Sequence, residues 1–361
     1  MTADSKPQVH QFVAVLDKGD AIGNHALAIR EFIRGQGYSS EIFAWRAGKG
    51  MQHQCRHYLE YVRYSSSKNI VIYHFGVSSP ITGFFLQAPD RKVIVYHNIT
   101  PENFFRGVSD SIYHTLKNGR RELAQISGKV QLAIAVSEYN RQELAQLGFK
   151  NTATVPLLLD FGLYKVAADS SISSRYGDGS VNIIFVGRIS PNKKQEDIIR
   201  AFSIYKKYIN SRSRLFIIGQ NRQVPEYNTL LKRLVEALGV KDVHLTGAVS
   251  QAELNAYYSI ADVFVSMSEH EGFCIPLLES MYFGVPIIAY DSSAVASTLG
   301  GTGILFSKKD PAAVAELLDL VVNDGDLRER VIKAQKIRLE SFRREKVEKQ
   351  LMSSLAGLLK E

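Results

Sequence analysis

Cysteine is scarce: two in 361 residues, Cys55 and Cys274, far apart in the chain. Two thiols at that separation form no disulfide framework, which points to a reducing compartment such as the cytosol. No run of about 18 apolar residues occurs, so no membrane-spanning helix is expected. The first residues, M-T-A-D-S-K-P-Q, hold no apolar segment resembling a secretory leader. No cluster of histidine, cysteine and aspartate stands at metal-ligand spacing, so no metal site is expected. Stacking aromatics are not interleaved with basic residues in a recognised motif, which argues against nucleic acid as a partner. Low-complexity tracts are lacking too. What is present is an ordinary globular composition, 45% hydrophobic and 22% charged, with length for two domains. The formal net charge of +8 favours an anionic partner, such as a nucleotide or a phospholipid headgroup.

Strand-like and helix-like segments alternate along the chain, which predicts parallel sheets covered by helices on both faces. The richest stretch is E-H-E-G-F-C-I-P-L-L-E-S-M-Y-F-G-V-P, residues 269–286. Before it, A-D-V-F-V-S-M-S reads as a buried parallel strand. After it comes a short helix, with Pro276 suited to the first turn and Gly284 to the left-handed cap. Glu271, Gly272, Phe273 and Cys274 therefore lie between a strand's carboxyl end and a helix's amino end, where open α/β sheets bind ligands. Helix-start amides and the helix dipole favour a phosphate there, and Gly272 allows close backbone approach. Glu271 and Glu279, eight residues apart, suit hydroxyl groups on either side of the anion. A diphosphate flanked by two polyols is a nucleotide sugar.

Other strand ends carry further candidates. Phe12–Leu16 leads into D-K-G-D-A-I-G-N, where Gly19 and Gly23 give a close-approach loop before a helix from about His25 to Arg34. The strand Val93–His97 puts His97 at a strand end, with His74 a weaker rival at the end of Ile70–Phe75. V-N-I-I-F-V-G-R ends at Arg188, followed by I-S-P-N-K-K. Arg188 and a lysine beside an anion site would neutralise a leaving diphosphate; Lys193 and Lys194 are both in reach. Gly219, after strand Arg214–Gly219, and Val249, after strand Val243–Gly247, are candidates for a base pocket. Residues 106–129, with Arg106, Lys117, Arg120, Arg121 and Lys129 among apolar residues, read as a basic amphipathic helix. Its default is a solvated face over a core stripe; the sharper reading is docking on anionic lipid. The polar stretch from Asp160 to Ser180 reads as a linker.

The signature resembles that of retaining glycosyltransferases of family 4, which have two facing Rossmann-like domains. Their pattern is E-G-F-G-x-P-x-x-E, then A-M and G-x-P. This chain departs at Cys274, where glycine is usual, and at Ser280, where alanine is usual. The pattern G-R-x-x-x-x-K is met by Arg188 and, by spacing, Lys193, with Lys194 adjacent. The resemblance implies an α/β fold of two doubly wound domains facing across a cleft. It implies an N-terminal domain of residues 1–162, a nucleotide-sugar domain of residues 163–342, and a final helix, 343–361, returning to the first domain. It also implies that the Gly19–Gly23 loop closes over the donor and that His97 touches the donor sugar. Arg188 and Lys193 would grip the diphosphate, Glu279 the ribose, and Glu271 with the amides from Gly272 to Cys274 the sugar hydroxyls.

The activity so implied is transfer of a hexosyl unit, of mannose or glucose type, from a nucleotide diphosphate sugar such as GDP-mannose or UDP-glucose. The acceptor is a hydroxyl of a lipid-linked or growing polysaccharide glycan. Anomeric configuration is retained, and neither cofactor nor metal is required. A cytoplasmic protein, in peripheral contact with the inner membrane face through residues 106–129, is expected. The rivals are a nucleotide-sugar epimerase on the same scaffold and a non-enzymatic nucleotide-binding module.

Overall fold

The computed structural model describes residues 6–221 and 223–360. The leader-free reading of the start rests partly on residues 1–5, which lie outside the described residues. The chain divides into two compact units. One comprises Met1–Glu102, Ser111–Asp160 and Phe342–Glu361; the other comprises Asn103–Asp110 and Phe161–Ser341.

The first unit opens with β1 (Val9–Leu16), α1 (Ala21–Gly35), β2 (Ile42–Ala47), β3 (Arg56–His57), β4 (Ile70–Phe75), α2 (Ile81–Gln87) and β5 (Arg91–Tyr96). It continues with α3 (Asp110–Ile126), β6 (Leu132–Ala135), α4 (Glu138–Gln146) and β7 (Thr152–Thr154). All seven strands are parallel, in the order β3-β2-β1-β4-β5-β6-β7. β4 is buried along its whole length, as a strand covered on both faces must be. Connections run to one side from β1 through β2 to β3 and to the other from β4 onward, so the order reverses between β1 and β4.

α1 starts four residues before its expected beginning. The Asp20 carboxylate accepts the Ile22 and Gly23 amides at 3.1 and 3.0 Å and caps the helix there. Gly23 thus sits in the first helical turn, not on the loop. A Cβ at Gly23 would meet Asp17 O and Leu16 Cδ1, both at 3.3 Å, so its place is close packing of helix on strand. Gly19 stays on the loop, exposed, at φ +78°. The amphipathic stretch forms α3, with Leu123 and Ile126 in the core. Arg120 turns inward, paired with Glu143 at 2.8 Å and bonded to the Ile99 carbonyl.

The second unit contains α5 (Ser170–Tyr176), β8 (Val181–Val186), α6 (Gln195–Ile204), β9 (Ser213–Ile218), α7 (Pro225–Leu238), β10 (Val243–Gly247) and α8 (Gln251–Ser259). It goes on with β11 (Val263–Ser266), α9 (Ile275–Phe283), β12 (Ile287–Tyr290), α10 (Val295–Leu299), β13 (Ile304–Phe306), α11 (Pro311–Asn323) and α12 (Gly325–Leu339). Its six strands are parallel in the order β10-β9-β8-β11-β12-β13, so the reversal falls between β8 and β11. The polar stretch after Asp160 is not a bare linker. A 3-10 turn covers Phe161–Lys165, and Asp169 caps α5, whose Ile172 is buried. The Asp169 amide also donates to the Ala252 carbonyl at 3.0 Å, which ties the segment to α8. The last helix, α13 (Arg344–Lys360), belongs to the first unit. It buries Val347, Leu351 and Leu355, spaced by four, and pairs Arg344 with Glu31 of α1 at 3.1 Å.

Candidate active site

In the second unit the loops after β8 and β11 leave neighbouring strands at the point where the strand order reverses. That is the position at which doubly wound sheets hold ligands. The first loop carries Arg188, Lys193 and Lys194. The second carries Glu269 to Cys274 and feeds α9, with Pro276 in the first turn and Gly284 capping the end at φ 69°.

The two loops are clasped together. Asn192 donates from Nδ2 to the His270 carbonyl at 3.0 Å, and its own carbonyl accepts the Glu269 amide at 2.8 Å. Ser190 Oγ donates to Asn192 Oδ1 at 2.7 Å and fixes the amide's orientation. From the other side, Ser293, at φ 47° in the loop after β12, accepts the Glu271 amide on Oγ at 2.7 Å. The Glu271 N–H is therefore spent within the protein. Asn192 and Ser293 escaped the sequence reading, because neither stands in a motif; the Pro-Asn-Lys-Lys run was the one available hint.

Lys193 Nζ pairs with Glu271 Oε2 at 2.6 Å, and both side chains are largely buried. The sequence reading gave these residues separate partners, a diphosphate and a sugar; the fold joins them. Lys194, held in the left-handed region at φ 53°, faces Glu196 and Glu269 at 3.6 and 3.7 Å. Lys309 spans Asp197 and Glu269 at 3.2 and 2.8 Å and was not foreseen. Arg200 also takes Asp197, at 2.9 Å. Four cations thus meet four carboxylates around the loop pair. Arg188 is different. It is exposed, donates to the neutral Gln223 amide at 3.1 Å, and, among the described residues, meets no carboxylate.

Cys274 occupies the N-cap of α9 at φ 70°, ψ 70°, a conformation that favours glycine. Burial pushes its thiol well above the ordinary range, and the nearby Glu271 carboxylate pushes the same way. It is therefore a neutral, packed side chain. Phe273 is buried beside it and its carbonyl accepts Thr298 Oγ1 at 2.7 Å. Glu279, one turn into α9, is buried. It accepts the Tyr258 hydroxyl at 2.8 Å and the Tyr164 hydroxyl at 3.4 Å. Burial raises its pKa, against the two hydroxyl bonds.

Gly219 has a packing reason of its own: a Cβ there would lie 2.0 Å from the Gly187 carbonyl oxygen. The strand ends of β8 and β9 pass that closely, so glycine is required whatever binds nearby. Val249 is partly exposed between β10 and α8. In the first unit, His97 follows β5 and its Nε2 lies 3.0 Å from His74 Nδ1. His74 in turn meets Gln11 Oε1 through Nε2 at 2.8 Å.

Two doubly wound parallel domains, the second with a cationic strand-end loop beside a helix start, define the architecture of GT-B glycosyltransferases. Residues 171–338 match the family model of glycosyl transferases group 1. The resemblance drawn from the signature is upheld by that match. Over 268 residues, 70% of this chain, it is 26% identical to a GDP-mannose-dependent alpha-(1-6)-phosphatidylinositol monomannoside mannosyltransferase of Mycobacterium tuberculosis. The match spans 66% of that relative's length, just under two thirds. A sucrose-phosphate synthase structure from Thermosynechococcus elongatus superposes with a TM-score of 0.77 at 16% identity, covering 98% of this chain and 100% of that one. Anabaena HepE in complex with UDP-glucose gives a TM-score of 0.73 at 16% identity, covering 97% and 99%. At these identities the two structures speak for the fold.

Proposed function

We propose that the protein is a retaining hexosyltransferase. It moves a mannosyl or glucosyl unit from a nucleotide diphosphate sugar to a hydroxyl of a glycan or lipid acceptor. The observation that carries this reading is the meeting of the β8 and β11 loops at the reversal of strand order. Arg188 stands there, among the described residues, without a carboxylate partner, and Lys193 is locked onto the signature Glu271. The family match over residues 171–338 supports the same assignment.

The chemistry follows from what each group can do. Arg188 is free to take phosphate oxygens bidentately and to stabilise the charge that develops on the leaving diphosphate. The amino end of α9 adds its dipole on the same side. Lys193, held by Glu271, presents a fixed cation rather than a mobile one, so little reorganisation is needed as the bond breaks. Glu271 keeps acceptor capacity for a sugar hydroxyl, since a carboxylate has about four lone-pair sites. Glu279 likewise has room for ribose hydroxyls beside its two tyrosines. In a front-face reaction the acceptor oxygen attacks on the side the diphosphate leaves, and a phosphate oxygen takes its proton. The fixed cations supply the charge compensation that a divalent ion provides in other transferases.

No helix among the described residues is long and apolar enough to cross a membrane. We assign the protein a cytoplasmic place, with a lipid-linked acceptor at the inner membrane face. Peripheral contact through residues 106–129 would rest chiefly on Lys117, Arg121 and Lys129, because Arg120 is committed to Glu143. Co-sedimentation with anionic vesicles at low and high salt tests this part separately. The central test is a panel of nucleotide sugars with and without acceptor. Transfer with retained configuration supports the reading. Interconversion of free sugars without acceptor would convert it to an epimerase, and neither activity would leave nucleotide binding alone.

A further inference from the structure

Three histidines that no sequence spacing connects are gathered at the carboxyl ends of the first unit's strands. His25 comes from α1, His74 from the end of β4, and His97 from just after β5. Their ring nitrogens all lie within 4.8 Å of one another, one atom from each residue. The rings of His25 and His74 are 5.6 Å apart, those of His25 and His97 5.3 Å, and those of His74 and His97 5.3 Å. His25 is 3% exposed, and among the described residues neither of its ring nitrogens has a hydrogen-bond partner. Leaving buried polar atoms unpaired is costly, so an imidazole in this condition marks a place where something binds.

We propose that His25, His74 and His97 form a binding site for one divalent transition-metal ion, zinc being the archetype, with a fourth position left to water or a small ligand. Three neutral imidazoles with an open fourth position are a donor set that zinc, cobalt, nickel and copper accept and that magnesium and calcium do not. Burial supplies the neutral form: it lowers the His25 pKa to about 3 and those of His74 and His97 well below the ordinary value. His74 already has the support that a metal-bound histidine usually has. Its Nε2 is held by the Gln11 side chain at 2.8 Å, which leaves Nδ1 turned toward His97.

Metal–nitrogen bonds of roughly 2.0–2.1 Å place two tetrahedral ligand atoms about 3.3 Å apart. His74 Nδ1 and His97 Nε2, at 3.0 Å, are already at that spacing. The remaining nitrogen must close in by roughly 1.5 Å to reach bonding range, a motion within reach of ring rotation about side-chain torsions. On binding, His97 gives up its hydrogen bond with His74 and both nitrogens turn their lone pairs to the ion. All three histidines belong to the first unit, and as a metal ligand His97 would not serve as the donor-sugar contact that the resemblance implies.

The experiment uses tag-free full-length protein titrated with cobalt(II), followed by visible absorption, and with zinc by calorimetry. One ion per chain and the intense absorption of four-coordinate cobalt are expected. His25→Ala and His74→Ala should abolish both signals. Gln11→Leu, which removes only the support of His74, should weaken binding about tenfold to a hundredfold. No uptake by the wild type, or uptake unchanged in His25→Ala, overturns the site. The second outcome would leave ordered water as the partner of His25. Should the histidine variants not fold, anomalous scattering from zinc-soaked wild-type crystals decides: density among the three rings supports the site, and its absence there overturns it.

Discussion

The two units share one topology and differ in what their strand ends carry. Each is a parallel sheet whose order reverses between the first strand of the unit and the fourth. At that place in the second unit stand paired lysines and carboxylates, with one exposed arginine. In the first unit the corresponding region holds three imidazoles, two buried and one partly buried. The scaffold thus offers the same kind of site twice, and residue type decides which chemistry it can take. Paired charges tie the second unit's loops together and leave Arg188, among the described residues, as a cation without a carboxylate partner. Uncharged imidazoles can accept a metal or a hydroxyl but cannot neutralise an anion.

Breaking the charged site should have the larger consequences. Arg188→Ala should lower kcat by about a hundredfold to a thousandfold while the thermal unfolding midpoint barely moves, since the exposed side chain donates, among the described residues, to Gln223. Steady-state transfer assays alongside a melting curve separate the two effects, and near wild-type turnover would remove Arg188 from the reaction. Lys193→Met should act on stability as well as turnover, because it strands the buried Glu271 carboxylate. A loss of roughly 3 kcal/mol is expected by denaturant unfolding. Lys193→Met combined with Glu271→Gln should recover much of that stability but none of the activity. If the double variant is as unstable as the single one, the pair is not the reason.

Glu279 sharpens the contrast between ionised and neutral groups within the second unit. Its pKa is raised above the ordinary 4.5 by burial, so in the folded state it holds its proton to higher pH than when unfolded. The stability linked to that proton is full below 4.5 and is lost as pH rises through the elevated folded value. Glu279→Gln, which keeps a hydrogen-bond acceptor for Tyr258, should therefore lose less stability than wild type between pH 4 and pH 7, roughly, on a melting series. The same variant should weaken nucleotide diphosphate binding by calorimetry if the carboxylate holds the ribose. Identical pH profiles for the two proteins would show that Glu279 ionises as it does in water. The smallest effect belongs to Cys274→Gly. Relief of the left-handed conformation, worth about 1 kcal/mol, is opposed by loss of the packed thiol and by greater freedom of the unfolded chain. The midpoint should shift by only a few degrees, whereas donor sugar preference is free to change.

Much of the fold was legible because the information is local. The run I-V-I-Y-H-F is apolar enough to be a strand buried on both faces, and it is one. Pro276 and Gly284 bracket α9 because each has a backbone preference that acts without help from the rest of the chain. Glu271 and Arg188 stood out as candidates because they sit within a few residues of strand ends that hydrophobic pattern marks, whereas preferring Lys193 to Lys194 rested on the spacing of the family pattern it resembles. The loop assigned around Gly23 was too long, because Asp20 was not weighed as a cap. The linker after Asp160 was overdrawn, because its serines and aspartates serve as a helix start as readily as a coil.

The amino-acid sequence by itself determined the alternation of strands and helices, the two parallel sheets, and the strand-end location of the signature, since these follow from short-range periodicity and turn chemistry. Only the tertiary structure decided which charges meet. Lys193 finds Glu271 across 78 residues of chain, Asn192 finds the His270 carbonyl, Glu279 is held by tyrosines from two other elements, and His25, His74 and His97 converge from three. Such partnerships depend on which strands lie side by side and on the register that places their ends. Strand order is set by packing of the whole sheet, and no residue carries it in its own neighbourhood.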